Sequence, residues 1–455
     1  MRYVMWMVVL AVSVSAVAAE PGRMVEAWRR SGKHQQYPTM TLADVPAKAI
    51  EAGRKIPLDE YGGRTDRQYE ATGFFRAQKI DGRWWLIDPK GHPFIHKAVN
   101  SVTLGSSKNV RAAMAEKFGD KAAWAKHTAK LLHEAGFNGT GNWTDNGAIQ
   151  SVEPRMVYTL TWRFMHGYGR KRGGITMEPG HVGYPNRCIF VFDPEFETYV
   201  DEYAKQLAET KDAPWLLGHF SDNEMPFSPD LLDRYLKLDA KDPGYLAAKN
   251  WLTARQGEFD KSKITAEDRS DFLRFVADRY YRLVSQAIRK YDPNHIYLGS
   301  RLHGRDVQLR ELFETAGKYC EVVAVNLYNV WTPGEEVKRL SEWSGRPLII
   351  SEWYAKGADT GMKNLSGAGW TVPTQADRGA FYQNFTLGLM RSGVCVGWHW
   401  FKYLDNDPEN LKTDPSNRDS NKGIVNIKLE PYQPLIDAMK GLNDAAYGIM
   451  DQMSD

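Results

Sequence analysis

The sequence is short of the features that would tie it to a metal, a nucleic acid or a membrane. Its 455 residues include three cysteines, Cys188, Cys320 and Cys395. They are odd in number and far apart, which excludes a disulfide framework, and no Cys/His spacing of a zinc site occurs. Charge is nearly balanced, 59 basic against 56 acidic residues, so nothing marks a nucleic acid as partner and no strongly polyanionic partner is demanded. Internal repeats at solenoid periods and low-complexity stretches are missing. No glycine-rich phosphate loop follows any strand candidate, which argues against a doubly wound open sheet, the main competing fold.

Long apolar runs are also missing, with one exception at the start. Met1 and Arg2 precede an apolar stretch from Tyr3 to Val17, closed by Ala18-Ala19 before Glu20. A basic start, an apolar middle and small residues at the end predict a secretory signal over residues 1–19. The alternative, a membrane anchor, needs about 20 apolar residues and this run is shorter. The expected location is therefore secreted or periplasmic, with no membrane as partner after the signal is removed.

What the sequence does have is aromatic side chains and a strand–helix rhythm. Fifteen tryptophans and 12% aromatics suit the flat apolar faces of sugar rings, although most aromatics serve as ordinary core. Gly73 to Pro93 reads as a small β element with turns at Asp81-Gly82 and Pro89-Lys90-Gly91. It closes an N-terminal segment over residues 20–93. From Phe94 onward, short apolar runs alternate with helical patterns, as in a parallel sheet with crossover helices. The strand candidates are Phe94–Val102, Phe137–Thr144, Met156–Trp162, Trp215–Glu224, Ile296–His303, Val322–Tyr328, Pro347–Trp353 and Val396–Tyr403. Eight such strands predict an α/β fold, a (β/α)8 TIM barrel over residues 94–455. Helical spacing covers 120–135, 195–210, 267–291, 375–392 and 431–443. The stretch 226–266 is too long for one loop and reads as a helical insertion after strand four.

Barrel enzymes carry their chemistry at the C-terminal ends of the strands. Strand four ends in Ser-Asp-Asn-Glu at Glu224, and strand seven in Ile-Ile-Ser-Glu-Trp with Glu352. Alternation along a strand places Glu352 on the face of Ile350 and Leu348, taken as the barrel interior, and Glu224 on that of Asp222 and Phe220. One glutamate at a strand end is more often a cap or a surface ion pair. Two of them, on strands four and seven, fit a reaction in which one carboxylic acid protonates a departing glycosidic oxygen and a second, ionised carboxylate attacks the sugar. Asn223 is placed to bond a hydroxyl beside the reacting carbon. Tyr328 shares the inward face of Ala324 and Asn326 and is expected to orient Glu352. The remaining substrate-binding candidates are Asn100, Asn142, Trp143, Trp162, His303, Trp398 and Lys402, with Trp398 preferred to Trp400 for the cleft. No metal site and no cofactor is expected. The rival from another class, a non-catalytic glycan-binding barrel, would keep the aromatics and lose a carboxylate.

Several blocks carry a family resemblance. Gly73-Phe-Phe-Arg with Asp81-Gly-Arg-Trp-Trp-Leu-Ile-Asp-Pro-Lys-Gly-His-Pro-Phe94, then Ser221-Asp-Asn-Glu224, resemble the β-agarases of glycoside hydrolase family 50. So do Ser366-Gly-Ala-Gly-Trp-Thr-Val-Pro-Thr-Gln-Ala-Asp-Arg-Gly379, Gly397-Trp-His-Trp-Phe-Lys-Tyr-Leu-Asp-Asn-Asp-Pro408 and Asp419-Ser-Asn-Lys-Gly-Ile-Val-Asn426. The resemblance implies a retaining barrel enzyme that hydrolyses β-1,4 linkages of agarose or agaro-oligosaccharides, often releasing neoagarobiose from a chain end. It also implies no organic cofactor, Glu224 as acid/base and Glu352 as nucleophile. One departure is clear: only about fifty residues separate the signal from the Gly73 block, too few for the ~100-residue β-sandwich that family members commonly carry at the N-terminus. This leaves soluble oligosaccharides as the favoured galactan substrate, with porphyran, carrageenan, β-mannan or β-glucan as same-clan alternatives. The long loops at 163–187 and 226–266 are expected to roof the mouth, which favours exo action.

Overall fold

The computed structural model describes residues 22–30 and 32–453, and the signal expected over 1–19 lies outside them. Its centre is a parallel sheet of nine strands: β1 (His96–Val99), β2 (Gly139–Thr140), β3 (Val157–Trp162), β4 (Leu216–Ser221), β5 (Ile296–Gly299), β6 (Leu302–His303), β7 (Val323–Asn326), β8 (Leu348–Trp353) and β9 (Cys395–Trp400). The order is β5-β4-β3-β2-β1-β9-β8-β7-β6. The two end strands, β5 and β6, are consecutive in the chain, with only Ser300 and Arg301 between them. The sheet therefore curls until its two edges are joined by a two-residue break in one predicted strand.

Two apolar clusters follow from this curl. A small one takes Phe94, Val157, Leu217, Phe220, Leu298, Ala324, Ile349 and Val396 from around the sheet and no residue from a helix. Tyr61, Phe75 and Leu86 of the N-terminal segment join it. The Tyr61 ring lies 4.6 Å from Trp215, just before β4, so they stopper the end where the strands begin. The large cluster lies between the sheet and its helices. The helices are α1 (Lys121–Glu134), α2 (Phe196–Ala204), α3 (Ala266–Tyr291), α4 (Arg310–Tyr319), α5 (Gly334–Ser344), α6 (Gln375–Ser392) and α7 (Gln433–Gln452), with shorter ones between. Thr265 with Asp268, and Thr374 with Asp377, form capping boxes that start α3 and α6, satisfying backbone donors the first turn leaves free. Residues 231–235 and 243–256 of the stretch between β4 and α3 are helical.

Two side-chain assignments need correction. Leu348 and Ile350 belong to the helix-facing cluster and Ile349 to the inner one, the reverse of the predicted parity. The register of β8 slips on both sides, Val325 pairing Ile350 but Asn326 pairing Glu352. The extra residue, Ser351, turns Glu352 inward; a bulge reverses parity in this way. In β9 the register slips likewise, Leu348 pairing Cys395 and Ile349 pairing Gly397. Val396 is inside as a result, whereas Trp398 and Trp400 both face the helices and are fully buried. Trp398 gives its indole N–H to Tyr382 of α6 at 3.2 Å and is no part of a cleft.

The N-terminal segment is fastened at several points. Trp28 bonds Thr371 through both backbone groups. A helix the sequence reading missed, Ala47–Lys55, crosses α7, which runs nine residues beyond its predicted end at 443. The crossing is glycine on glycine: a Cβ on Gly448 would lie 2.3 Å from the Gly53 nitrogen. Close helix approach is what those glycines allow. Gly448→Val should therefore destabilise the fold by about 1–3 kcal/mol or more, read as a lower denaturant midpoint; an unchanged midpoint would show that the crossing can spread.

Inside the curl, His96 and His399 meet at 2.9 Å, and His96 also faces the Val157 carbonyl at 3.2 Å. Burial lowers His96 to about 4 and holds His399 well below its ordinary value. The unfolded chain takes up protons near pH 6.5 while the folded pair resists. Stability is thus fully present above about 6.5 and lost as pH falls toward about 4, by up to about 1.4 kcal/mol per pH unit per histidine. Denaturant unfolding across that window should show the slope, and His96→Gln should flatten it; an identical slope in that variant would assign the loss elsewhere.

Candidate active site

The break between β5 and β6 is made by two left-handed residues, Gly299 (φ +77°) and Arg301 (φ +50°). It delivers the Arg301 side chain, with no exposed surface, to the C-terminal end of the sheet. There each of its five N–H groups has an acceptor. Nη2 donates to a carboxylate oxygen of Glu352 at 2.5 Å and to the Ser351 carbonyl at 3.1 Å. Nη1 donates to Asn223 at 2.7 Å. With its amide oriented to suit its neighbours, the Asn142 oxygen accepts from Nε at 2.6 Å and Nη1 at 2.9 Å, and its nitrogen donates to Thr161 at 2.8 Å. The guanidinium also lies 5.7 Å from the Trp143 ring centroid.

Glu352 is 5% exposed. Its second oxygen accepts from the Tyr328 hydroxyl. Burial first, then the charges of Glu352 and Glu224, push the Tyr328 phenol far above its ordinary range, so it stays a donor. Glu224 arrives differently from the sequence argument. β4 ends at Ser221, and both Asp222 (φ +61°) and Glu224 (φ +50°) are left-handed, so alternation no longer applies. Asp222 turns aside to accept from the Met165 and His166 backbone and the Tyr280 hydroxyl, at 2.8 to 3.0 Å. Burial raises its carboxyl to about 6. Glu224 reaches the mouth, where Asn326 Nδ2 donates to it at 2.8 Å and His303 Nδ1 lies 3.6 Å away. Asn326 accepts from Ser351 at 2.8 Å and is the register partner of Glu352. The two carboxylates thus share a floor made by Asn326, Tyr328 and Arg301.

Of the substrate-binding candidates, Asn142, Trp143, Asn223, His303 and Tyr328 gather here. Trp143 is the exposed one, at 36%, with Arg163 over its ring at 5.5 Å. Asn100 lies underneath, fully buried, donating to the Ser351 and His399 carbonyls. Lys402 sits at the end of β9 and donates to Asn406; burial and the neighbouring Lys422 bring its ammonium down to about 8. Trp162 is not brought to the mouth. Thr161 is its inward neighbour, and the Trp162 indole donates to His219 at 2.9 Å with its ring edge against Tyr203 of α2. His219, Asp292 and His295 cluster behind it, yet each of their ring nitrogens already has a partner, Trp162, Asp292 or the Ala213 carbonyl. That is a hydrogen-bond network rather than a set of free ligands.

The residues missed are Arg301, Asn326, Thr161 and Lys422. Arg301 had a signal, a charge in the middle of a strand candidate where an unpaired cation is costly. Lys422 is 2% exposed and donates to the Ser416 carbonyl at 2.8 Å. Its ammonium is lowered to about 8 by burial and lies within the field of Glu352 and Glu224.

Loops shape the mouth unequally. After β3, a hairpin pairs Thr176–Glu178 with His181–Gly183. Its tip meets the loop after β9: His181 Nε2 lies 3.4 Å from Asp414, and a Cβ on Gly180 would lie 2.5 Å from the same carboxylate. That loop is pinned in turn by Ser107, which donates to Asp407 at 2.6 Å. On another side, between the loops after β6 and β7, a cleft of about 450 Å3 opens next to His303, Asn326 and Tyr328.

Removing Arg301 would leave Glu352 buried without its cation and several acceptors unpaired. Arg301→Met should cost about 3–5 kcal/mol, and Arg301→Lys should recover little of it, since an ammonium cannot reproduce the fork. Thermal and denaturant unfolding of both variants check this; a loss below about 1 kcal/mol would remove the clamp from the account.

No family model matches the chain. Among characterised proteins it is similar to β-agarase B of Vibrio sp. (strain JT0107), 25% identical with 96% of this chain and 56% of that protein covered. It is also similar to β-agarase A of the same organism, 23% identical with 90% and 49% covered. The chain spans about half the length of these two relatives. Among solved structures, BpGH50 superposes with a TM-score of 0.83 at 28% identity, covering 95% of this chain and 96% of that one. An exo-β-agarase superposes with a TM-score of 0.73 at 22% identity over 89% and 71%, a likeness of fold. On sequence and fold together, the chain is β-agarase-like and similar to glycoside hydrolase family 50.

Proposed function

We propose that this chain is a secreted retaining glycoside hydrolase that cleaves β-1,4-galactosidic bonds of agarose or agaro-oligosaccharides, with Glu352 as nucleophile and Glu224 as acid/base. The observation that carries the proposal is the shared floor: Asn326 bonds Glu224 while standing in register with Glu352. The scaffold is then a (β/α)8 barrel whose fifth strand is β5 and β6 together, with residues 226–266 as an insertion. Double displacement needs two carboxyl groups about 5–5.5 Å apart.

The environments divide the roles. Glu352 is faced by the Arg301 guanidinium and the Tyr328 hydroxyl, which fix its direction for attack on the anomeric carbon. Glu224 has an amide and an imidazole for neighbours, which suits a group that must gain and lose a proton. It protonates the leaving oxygen, and after departure takes a proton from the water that releases the sugar. Asn223, held by Arg301, faces the reacting sugar, and Trp143 offers it an apolar plane. No organic cofactor enters these steps. The hairpin strap touching Asp414 favours exo action, because it closes one side of the mouth to a continuing chain.

A second galactan is favoured by one observation. Lys402 and Lys422 flank the mouth, and among the described residues neither has a carboxylate within ion-pair reach, their partners being Asn406, the Ser416 carbonyl and Asn417. Cations of that kind would receive a sulfated galactan such as porphyran.

The test is a reducing-sugar assay on agarose, porphyran, carrageenan, β-mannan and β-glucan with parent and Glu352→Gln. Agarose or its oligosaccharides should be cleaved, with a disaccharide as the early product, and the variant should lose at least about a thousandfold in kcat while unfolding normally. A variant as active as the parent would remove the nucleophile assignment. Binding without turnover of any glycan would favour the non-catalytic barrel.

A further inference from the structure

The cleft between the loops after β6 and β7 has an inner and an outer wall. The inner wall is His303, Asn326 and Tyr328, and the first two are the residues that touch Glu224. The outer wall is one face of α5, where Glu336, Arg339 and Trp343 follow at intervals of three and four and so stack along the helix. Arg339 donates to Glu336 at 2.6 Å and its guanidinium lies 5.0 Å from the Trp343 ring centroid. Surface pairs at this spacing are common and contribute little to stability. This one differs in its place: it faces a cavity of about 450 Å3 that begins at the proposed catalytic floor, a volume within the ~300–1,000 Å3 of small-molecule sites.

Which part of a substrate goes there follows from the acid. A general acid has to stand at the departing oxygen, so the sugar attached to that oxygen lies beyond Glu224, on the side of His303 and Asn326. The strap between Gly180, His181 and Asp414 stands over a different set of loops. We propose that the cleft is a subsite for a sugar of the leaving group, a neutral hydroxylated pyranose. Arg339 and Glu336 supply donors and acceptors at fixed spacing for neighbouring hydroxyls, and Trp343 walls its apolar edge. The proposal rests on Glu224 as the acid.

The experiment compares parent, Arg339→Ala and Trp343→Ala on agaro-oligosaccharides that differ only in the number of sugars on the leaving-group side. In the parent, kcat/KM should rise by about tenfold as that side is lengthened, the factor one good contact gives. In both variants the rise should vanish, chiefly through KM. A rise that persists in both variants overturns the subsite, as does a loss equal at all lengths or a parent indifferent to length. Calorimetry with neoagarohexaose separates the two readings. Hexasaccharide binding that weakens about tenfold in Arg339→Ala, in a protein that turns over no galactan, keeps the subsite and removes the hydrolysis; binding equal to the parent's removes the subsite whatever the turnover.

Discussion

A guanidinium sealed from water must find an acceptor for every N–H and an anion for its charge, and the mouth of this sheet is organised by that demand. Arg301 is met by groups from three separate segments: Asn142 after β2, Asn223 after β4, and Ser351 and Glu352 in β8, with Trp143 beside its face. A buried ion pair is poor evidence of stability, since desolvation cancels much of its attraction. Its value here is geometric: the acceptors are satisfied together in one arrangement, and that arrangement fixes where Glu352 and Asn223 point. The chain accommodates Arg301 by breaking the fifth predicted strand with two left-handed residues, so the seam of the curled sheet and the electrostatic centre of the site are the same few residues.

The architecture was legible because it rests on properties that are local and periodic. Eight apolar runs separated by helical patterns each became sheet strands, and Asp120, Thr265 and Thr374 cap the starts of α1, α3 and α6. The two glutamates were legible as residues but not as directions. Parity counted from Leu348 gave the interior to the wrong side chains, and the bulge at Ser351 returned Glu352 to the inside. At strand four the count failed differently: Asp222 left the row to cap the helix Phe164–Arg172 by accepting from its first backbone N–H groups. Bulges and left-handed turns depend on partners across the sheet, so a single strand's pattern does not contain them. Trp162 and Trp398 were misplaced for the same reason. Their composition suited a sugar cleft, but tryptophan is also what fills the space between a sheet and its helices.

Asn326 and Arg301 were hidden by the opposite problem, that their significance is relational. Asn326 is unremarkable in the run Val-Ala-Val-Asn-Leu-Tyr until its amide is seen to face both Glu224 and Ser351. A charge such as Arg301 inside a strand candidate is the more readable of the two, because an unpaired cation in a core is costly enough to imply a partner. The partner's identity, one of the two glutamates already singled out, was the inference left to draw.

On the proposed mechanism, the asymmetry between the two glutamates decides more than their separation does. Two carboxylates in one pocket repel, and the arrangement is stable with both charged only if something compensates at least one of them. Arg301 compensates Glu352, with Tyr328 as donor and Lys402 in its field, while Lys422 lies in the field of both glutamates. Glu224 has His303 at 3.6 Å and an amide, a setting without a fixed cation. A nucleophile must remain ionised through the first step, whereas an acid/base must change state twice, so each glutamate sits where its task needs it. The same asymmetry orients the substrate. The open cleft begins at His303 and Asn326, which touch Glu224, whereas the strap meets the loop after β9 that carries Lys402 and Lys422, and on that mechanism a polymer bound in the mouth would have its departing end in the open cleft.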